Sequence, residues 1–228
     1  MIKHCIYPSA ESVATGLATA ILKAFDRAEM IDGPVAIMLA GGRTPKAAYE
    51  IVARSGRIIP ENMTLMISDE RWVPLDSPES NFLMMTPFMK AVKCAEIQKI
   101  MVNTALPREE AAKDFGRRLD SFFNRGGILL ESFLGLGADG HTASLFSDDH
   151  LTKSQNTSAI AVDRPDGRVG ISATASTIQK AQRVVFVVTG ADKKNMADLL
   201  LTRPLDLTAG KVVFRHAHVE LWRDKAAV

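Results

Sequence analysis

Residues 135–146 read GLGADGHTASLF, and this stretch sets an acid and an imidazole, Asp139 and His141, two positions apart among glycines. Glycine lets backbone come close to a small ligand, and a histidine held beside a carboxylate has the composition of a general base with its orienting acid. The same residues also form G-x-G-x-x-G, the outline of a dinucleotide-binding turn. That second reading fails on chemistry. A carboxylate inside the turn repels a pyrophosphate, and the chain then runs LFSDDHLTKSQNTS in place of the long apolar helix such a turn should open. Zinc hydrolysis is a third possibility, with Asp139, His141, Asp148 and His150 as conceivable ligands, but no H-E-x-x-H or comparable spacing is present.

Two other stretches have chemistry in them. GGRTP (41–45) follows an apolar run. Its glycines Gly41 and Gly42, the hydroxyl of Thr44 and the free N–H groups of a following helix make an anion site, although two glycines also serve a plain strand-to-helix turn. It is not a Walker A loop, because the G-x-x-x-x-G-K-[ST] spacing is missing. SDERWVP (68–74) places Asp69 and Arg71 after another apolar run.

The elements that must position these residues alternate along the chain. Strands are expected at 2–7, 34–40, 63–68, 97–102, 128–137, 183–190 and 218–223. Helices are expected after Ser9, from Thr44 as cap with Pro45 first, over 81–92 with a break at Pro87, over 107–125 and over 191–201. The stretch 147–175 reads as loop and short strands. Such alternation implies a mostly parallel α/β sheet, doubly wound with helices on both faces, in which ligands bind beyond the carboxyl ends of the strands. GGRTP, DERWVP and GLGADGH each follow a strand end, so all three can face one cleft.

Bulk properties narrow the partners. The 228 residues are 46% hydrophobic and 24% charged, and 28 basic against 26 acidic residues give a net charge of +2. That balance leaves no footprint for nucleic acid or an anionic membrane. The N-terminal MIKHCIYPSAE lacks a signal-peptide apolar region, no run of ~18 apolar residues spans a bilayer, and Cys5 and Cys94 form no disulfide framework or zinc motif. A cytoplasmic enzyme of one domain over 1–228 is expected, with no cofactor, no metal and no obligate protein partner.

In order and spacing, GGRTP, SDERWVP with SN (80–81) and GLGADGHTASLF closely resemble the motifs of the glucosamine-6-phosphate isomerase/6-phosphogluconolactonase family, and weaker similarity continues through RPDGRVGIS, GADK (190–193) and LWRDKAA. The chain departs from the lactonase pattern at SLFSDD, at Gly170, where a threonine is usual, and at Glu131 and Ser132, where apolar residues are. The deaminases differ at DER and at HTASLF, so the resemblance implies a lactonase fold related to ribose-5-phosphate isomerase, and hydrolysis of 6-phospho-D-glucono-1,5-lactone in the oxidative pentose phosphate pathway. It implies His141 as base, Asp139 as its partner, and Arg71 at the oxyanion or the phosphate. Gly41, Gly42, Thr44, Asp69, Arg168 and Lys193 are implied as substrate and phosphate contacts. Two alternatives stay open: an isomerase or deaminase with Asp69 as base, and a non-catalytic sugar-phosphate sensor.

Overall fold

The computed structural model describes residues 2–228. The chain opens with β1 (Lys3–Tyr7) and α1 (Ala10–Ala28), capped by the Ser9 hydroxyl, which accepts the Ser12 N–H at 3.3 Å. Val13, Leu17, Ile21 and Phe25 form the fully buried stripe of α1. Then come β2 (Val35–Leu39), α2 (Arg43–Arg54), β3 (Met63–Ile67), β4 (Asp69–Arg71), α3 (Asn81–Ala91), β5 (Lys99–Ile100), α4 (Arg108–Asn124) and β6 (Ile128–Leu134). The rest is α5 (Asp148–Lys153), β7 (Ala159–Asp163), β8 (Val169–Ala173), α6 (Ala175–Ile178), β9 (Arg183–Val188), α7 (Lys194–Thr202), α8 (Thr208–Val213) and β10 (Val219–Asp224).

Seven strands form one sheet in the order β1-β10-β9-β6-β2-β3-β5, with every pairing parallel. All five residues of β2 and of β3 are buried, as strands covered on both faces require. From β2 the chain steps outward to β3 and β5, then returns to the other side of β2 as β6 and steps the opposite way through β9 and β10. Right-handed crossovers therefore put α1 and α2 on one face, where they pack together with α3, and α4 on the other. This is the expected doubly wound sheet. The reversal between β2 and β6 opens a crevice at their carboxyl ends, where GGRTP and GLGADGH emerge.

β4, β8 and β7 form a second, antiparallel sheet against α4. Ser68 joins the two sheets: its N–H donates to the Leu39 carbonyl at 2.8 Å, and its carbonyl accepts from Ala173 at 2.8 Å.

Several elements differ from expectation. Gly42, with φ of +114°, takes the cap position of α2, so the helix begins at Arg43, and Thr44 and Pro45 are its second and third residues. Pro87 does not break α3. Both it and Leu83, whose carbonyl loses its N–H partner, lie on the exposed side within reach of water. The strand expected at 97–102 shrinks to β5 because Gln98 turns inward, its Nε2 donating to the carbonyls of Pro60 at 2.8 Å and Met63 at 3.2 Å. Within 147–175 the strands form, and the short helix α5 forms with them; α6, which starts at Ala175, and α8 are further short helices outside the expected set. Glu131 is buried in β6 beside a bulge in its pairing with β2, and it meets Arg183 at 2.7 Å and Arg27 at 3.5 Å. Burial raises its carboxyl above the usual glutamate range in spite of both arginines.

Candidate active site

The crevice at the strand ends is a cleft of about 340 Å³, within the range of small-molecule sites. Its first wall is the start of α2. No side chain caps this helix, so the first-turn N–H groups and the positive end of the helix dipole face the cleft. Pro45, third in the helix, contributes no N–H. Thr44 is tied to the end of β9 by a 2.6 Å hydrogen bond between its hydroxyl and that of Thr189.

The second wall follows β3. Arg71 donates from one terminal nitrogen to the Glu79 carbonyl at 2.8 Å and to Asn81 Oδ1 at 3.0 Å. Asn81, 2% exposed, also donates from Nδ2 to the Asp69 carbonyl at 3.0 Å, and a Cβ at Gly41 would overlap its side chain. Gly41, Asn81 and Arg71 thus interlock the first two motifs. Glu70, turned away from the cleft, accepts the N–H groups of Arg71 at 2.8 Å, Asn81 at 2.7 Å and Phe82 at 2.7 Å. Burial raises its carboxyl even so. A carboxylate at the head of α3 satisfies the helix's orphan donors and so fixes where Asn81 stands.

The third wall is the loop after β6. Gly137 donates to the His141 carbonyl at 2.8 Å, and a side chain at 137 would overlap the His141 ring and the Asp139 carboxylate. Gly140 has φ of +82°. The glycines thus fold the loop back so that Asp139 meets His141 Nδ1 in a hydrogen bond. A carboxylate can only accept, so in the neutral ring Nδ1 holds the proton and the Nε2 lone pair is left for the cleft. Burial alone would raise the Asp139 carboxyl, but the hydrogen bond from the ring, its charge and the His141 N–H hold it below the usual aspartate range. Phe146 packs on the imidazole with ring centres 4.2 Å apart.

Of the residues singled out in the sequence, Gly41, Gly42, Thr44, Asp69, Arg71, His141 and Lys193 line this one cleft, and Asp139 stands behind His141. Lys193 arrives on the turn after β9, whose Gly190 N–H is held by Asp224 Oδ1 at 3.1 Å. Arg168 stands outside the lining of the cleft, its half-exposed guanidinium paired with Glu79 at 2.8 Å. Arg164, four residues earlier, lines the cleft in its place. Asp69 is buried with one oxygen accepting from Ser68 Oγ at 2.9 Å and the other from Ser144 Oγ at 2.7 Å. Arg43, Asn81, Ser144, Arg164 and Thr189 had no assigned role. The SN pair marked Asn81, but the side of the hairpin on which Arg164 falls is not written in local spacing. Among the described residues no three His, Cys, Asp or Glu side chains cluster as metal ligands, and no helix is long and apolar enough to cross a membrane.

Comparison with known proteins gives a consistent result. Residues 8–219 match the family described as glucosamine-6-phosphate isomerases/6-phosphogluconolactonase. A 6-phosphogluconolactonase of Haemophilus influenzae is 31% identical over 87% of this chain and 88% of its own length. One from Synechocystis is 36% identical over 72% of this chain and 70% of its own. The crystal structure of 6-phosphogluconolactonase from Thermotoga maritima superposes with a TM-score of 0.84 at 25% identity, covering 97% of this chain and 99% of that one.

Proposed function

The chain belongs to the glucosamine-6-phosphate isomerase/6-phosphogluconolactonase family, and from that premise we propose that it hydrolyses 6-phospho-D-glucono-1,5-lactone to 6-phosphogluconate, with His141 as general base. The observation behind the mechanism is the Asp139–His141 hydrogen bond at the cleft, which leaves Nε2 as the basic atom. A water between Nε2 and the lactone carbonyl gives its proton to Nε2 while its oxygen bonds to the carbonyl carbon, and the carbonyl π pair moves onto oxygen. When the tetrahedral intermediate collapses, the bond from that carbon to the ring oxygen breaks, and the imidazolium returns its proton to the departing oxygen. Asp139 stabilises the imidazolium in between and holds the ring.

The substrate's phosphate is assigned to the start of α2, where the backbone at Gly42, the N–H groups of Arg43 and Thr44 and the Thr44 hydroxyl converge, with Lys193 adding charge. Arg71, anchored through Asn81 against Gly41, stands on this phosphate side. Asp69 as base of an isomerase or deaminase is disfavoured, since both of its oxygens are occupied by serine hydroxyls.

The test couples glucose-6-phosphate dehydrogenase to the purified protein and follows lactone loss above its spontaneous rate. His141→Ala is expected to lower kcat by about 10² or more, the usual worth of a positioned base, while binding of 6-phosphogluconate stays near wild type. Ammonia release from glucosamine 6-phosphate, or a His141→Ala protein holding more than about a tenth of the wild-type rate, would remove this reading.

A further inference from the structure

We propose that Arg164 is a catalytic residue of this chain, donating to the lactone carbonyl oxygen as it becomes an oxyanion, and that it reaches that place because residue 170 is glycine. The inference rests on the hydrolase reading above.

Arg164 and Arg168 face each other at the mouth of the β7–β8 hairpin, where the Arg164 N–H donates to the Arg168 carbonyl at 2.8 Å. Arg168 leaves toward Glu79, whereas the Arg164 side chain, 13% exposed, turns into the cleft. It crosses Gly170: a Cβ built there would lie 3.4 Å from Arg164 Cδ, 3.0 Å from Ser144 Cβ and 2.8 Å from Ser144 Oγ. Ser144 is fully buried and has nowhere to retreat. Its hydroxyl gives its proton to Asp69 Oδ2 at 2.7 Å and accepts from the Arg164 guanidinium at 3.1 Å, so one serine holds both. Any side chain at 170 would break into this chain of contacts.

The position sorts the cations of the cleft. Arg71 is tied to Asn81 beside Gly41, and Lys193 lines the cleft from the turn that follows Thr189, whose hydroxyl bonds Thr44 in α2. Both belong to the phosphate side. Arg164 instead lies over Phe146, 5.2 Å from the ring centre, and the same ring packs against the His141 imidazole at 4.2 Å and, edge-on, against His150 at 6.1 Å. Of its five N–H donors one is taken by Ser144, and the contacts to Asp166 are long at 3.4 Å, so donors remain for a substrate oxygen. As the water oxygen bonds to the carbonyl carbon, the π pair moves onto the carbonyl oxygen and Arg164 donates to it; on collapse the pair re-forms the C=O bond and the contact weakens. An interaction strongest in the transition state lowers the barrier to the chemical step.

The experiment compares wild type, His141→Ala, Arg164→Gln, Arg164→Lys, Arg168→Gln and Gly170→Thr in the coupled lactone assay, each variant checked for wild-type circular dichroism. Arg164→Gln is expected to lose about 10²–10³ in kcat with KM changed less than about threefold. Gly170→Thr should lose at least about tenfold and add little in the Arg164→Gln background, since both act through the same guanidinium. Arg164→Lys, which keeps the charge but not the planar fork, covers the case that the glutamine variant does not fold, and should lose about tenfold or more in kcat. Arg168→Gln should stay within about twofold of wild type. Full kcat in a folded Arg164→Gln or Arg164→Lys protein, a rise in KM alone, or a loss found in Arg168→Gln instead would overturn the inference. An inactive wild type, or an undiminished His141→Ala, would instead overturn the hydrolase reading beneath it.

Discussion

At the scale of single residues, the Asp139–His141 pair is governed by opposing effects of known sign. Burial favours the protonated acid, and the His141 ring and N–H favour the carboxylate; the second set wins, so Asp139 titrates below the ordinary aspartate value. By linkage, a depressed acid stabilises the fold above its unfolded pKa, and that stability is lost as pH falls through the folded value. Removing the ring takes away its hydrogen bond and its charge, two of the effects that lower the carboxyl, and leaves burial opposed by backbone N–H groups alone. In His141→Ala, the carboxyl resonance of Asp139 is therefore expected to titrate at higher pH than in wild type, as followed by carbon NMR. An unmoved titration would mean that the ring does not hold the carboxylate.

At the scale of elements, the site depends on two helix beginnings that treat their orphan N–H groups in opposite ways. α3 is closed by Ser80 and Glu70, whose oxygens take its first donors, and it is a rigid platform for Asn81. α2 is left open, with Gly42 at its cap in a conformation that favours glycine, and its donors stay available to an anion. Gly41 lets the two beginnings touch. Gly41→Ala should push Asn81 aside and loosen Arg71. We expect a cost of about 1–3 kcal/mol in urea unfolding, as for overpacking in a tight interior, and at least about a tenfold fall in kcat/KM. Wild-type values of both would show that the contact between Gly41 and Asn81 is immaterial.

At the scale of the whole molecule, the cleft is assembled from strand ends widely separated in the chain, with Gly42, Arg71, His141, Arg164 and Lys193 converging on one side of a seven-stranded sheet. A ligand bridging these loops binds only the folded chain, so it stabilises the whole fold by mass action. At a hundred times its Kd, 6-phosphogluconate is expected to add about 2.7 kcal/mol to unfolding free energy, read as a rise in Tm. Gluconate at the same concentration should add almost none, because it leaves the open start of α2 unfilled. Equal shifts from both would remove the phosphate from the description of the site.

The sequence alone was enough for the strand–helix alternation, the parallel sheet and the three strand-end motifs, because buried parallel strands are written as apolar runs and glycine turns follow them directly. Asp139 and His141 were legible for the same reason: their partnership spans two residues and needs only a local turn. What local spacing could not contain was the outcome of competition between distant groups. That Arg164 lies in the cleft and Arg168 pairs with Glu79 depends on the space over Gly170 and on a buried serine from another loop. Where Asn81 stands depends on Glu70, and the cap of α2 falls on Gly42 because the turn out of β2 sets the direction of the helix. Glu131, polar in an apolar strand, is accommodated by Arg183 and Arg27 from other elements. Periodicity and short-range chemistry decided which elements form and which residues could react; side-chain direction within the cleft was decided by packing between residues far apart in the chain, which only the folded sheet brings together.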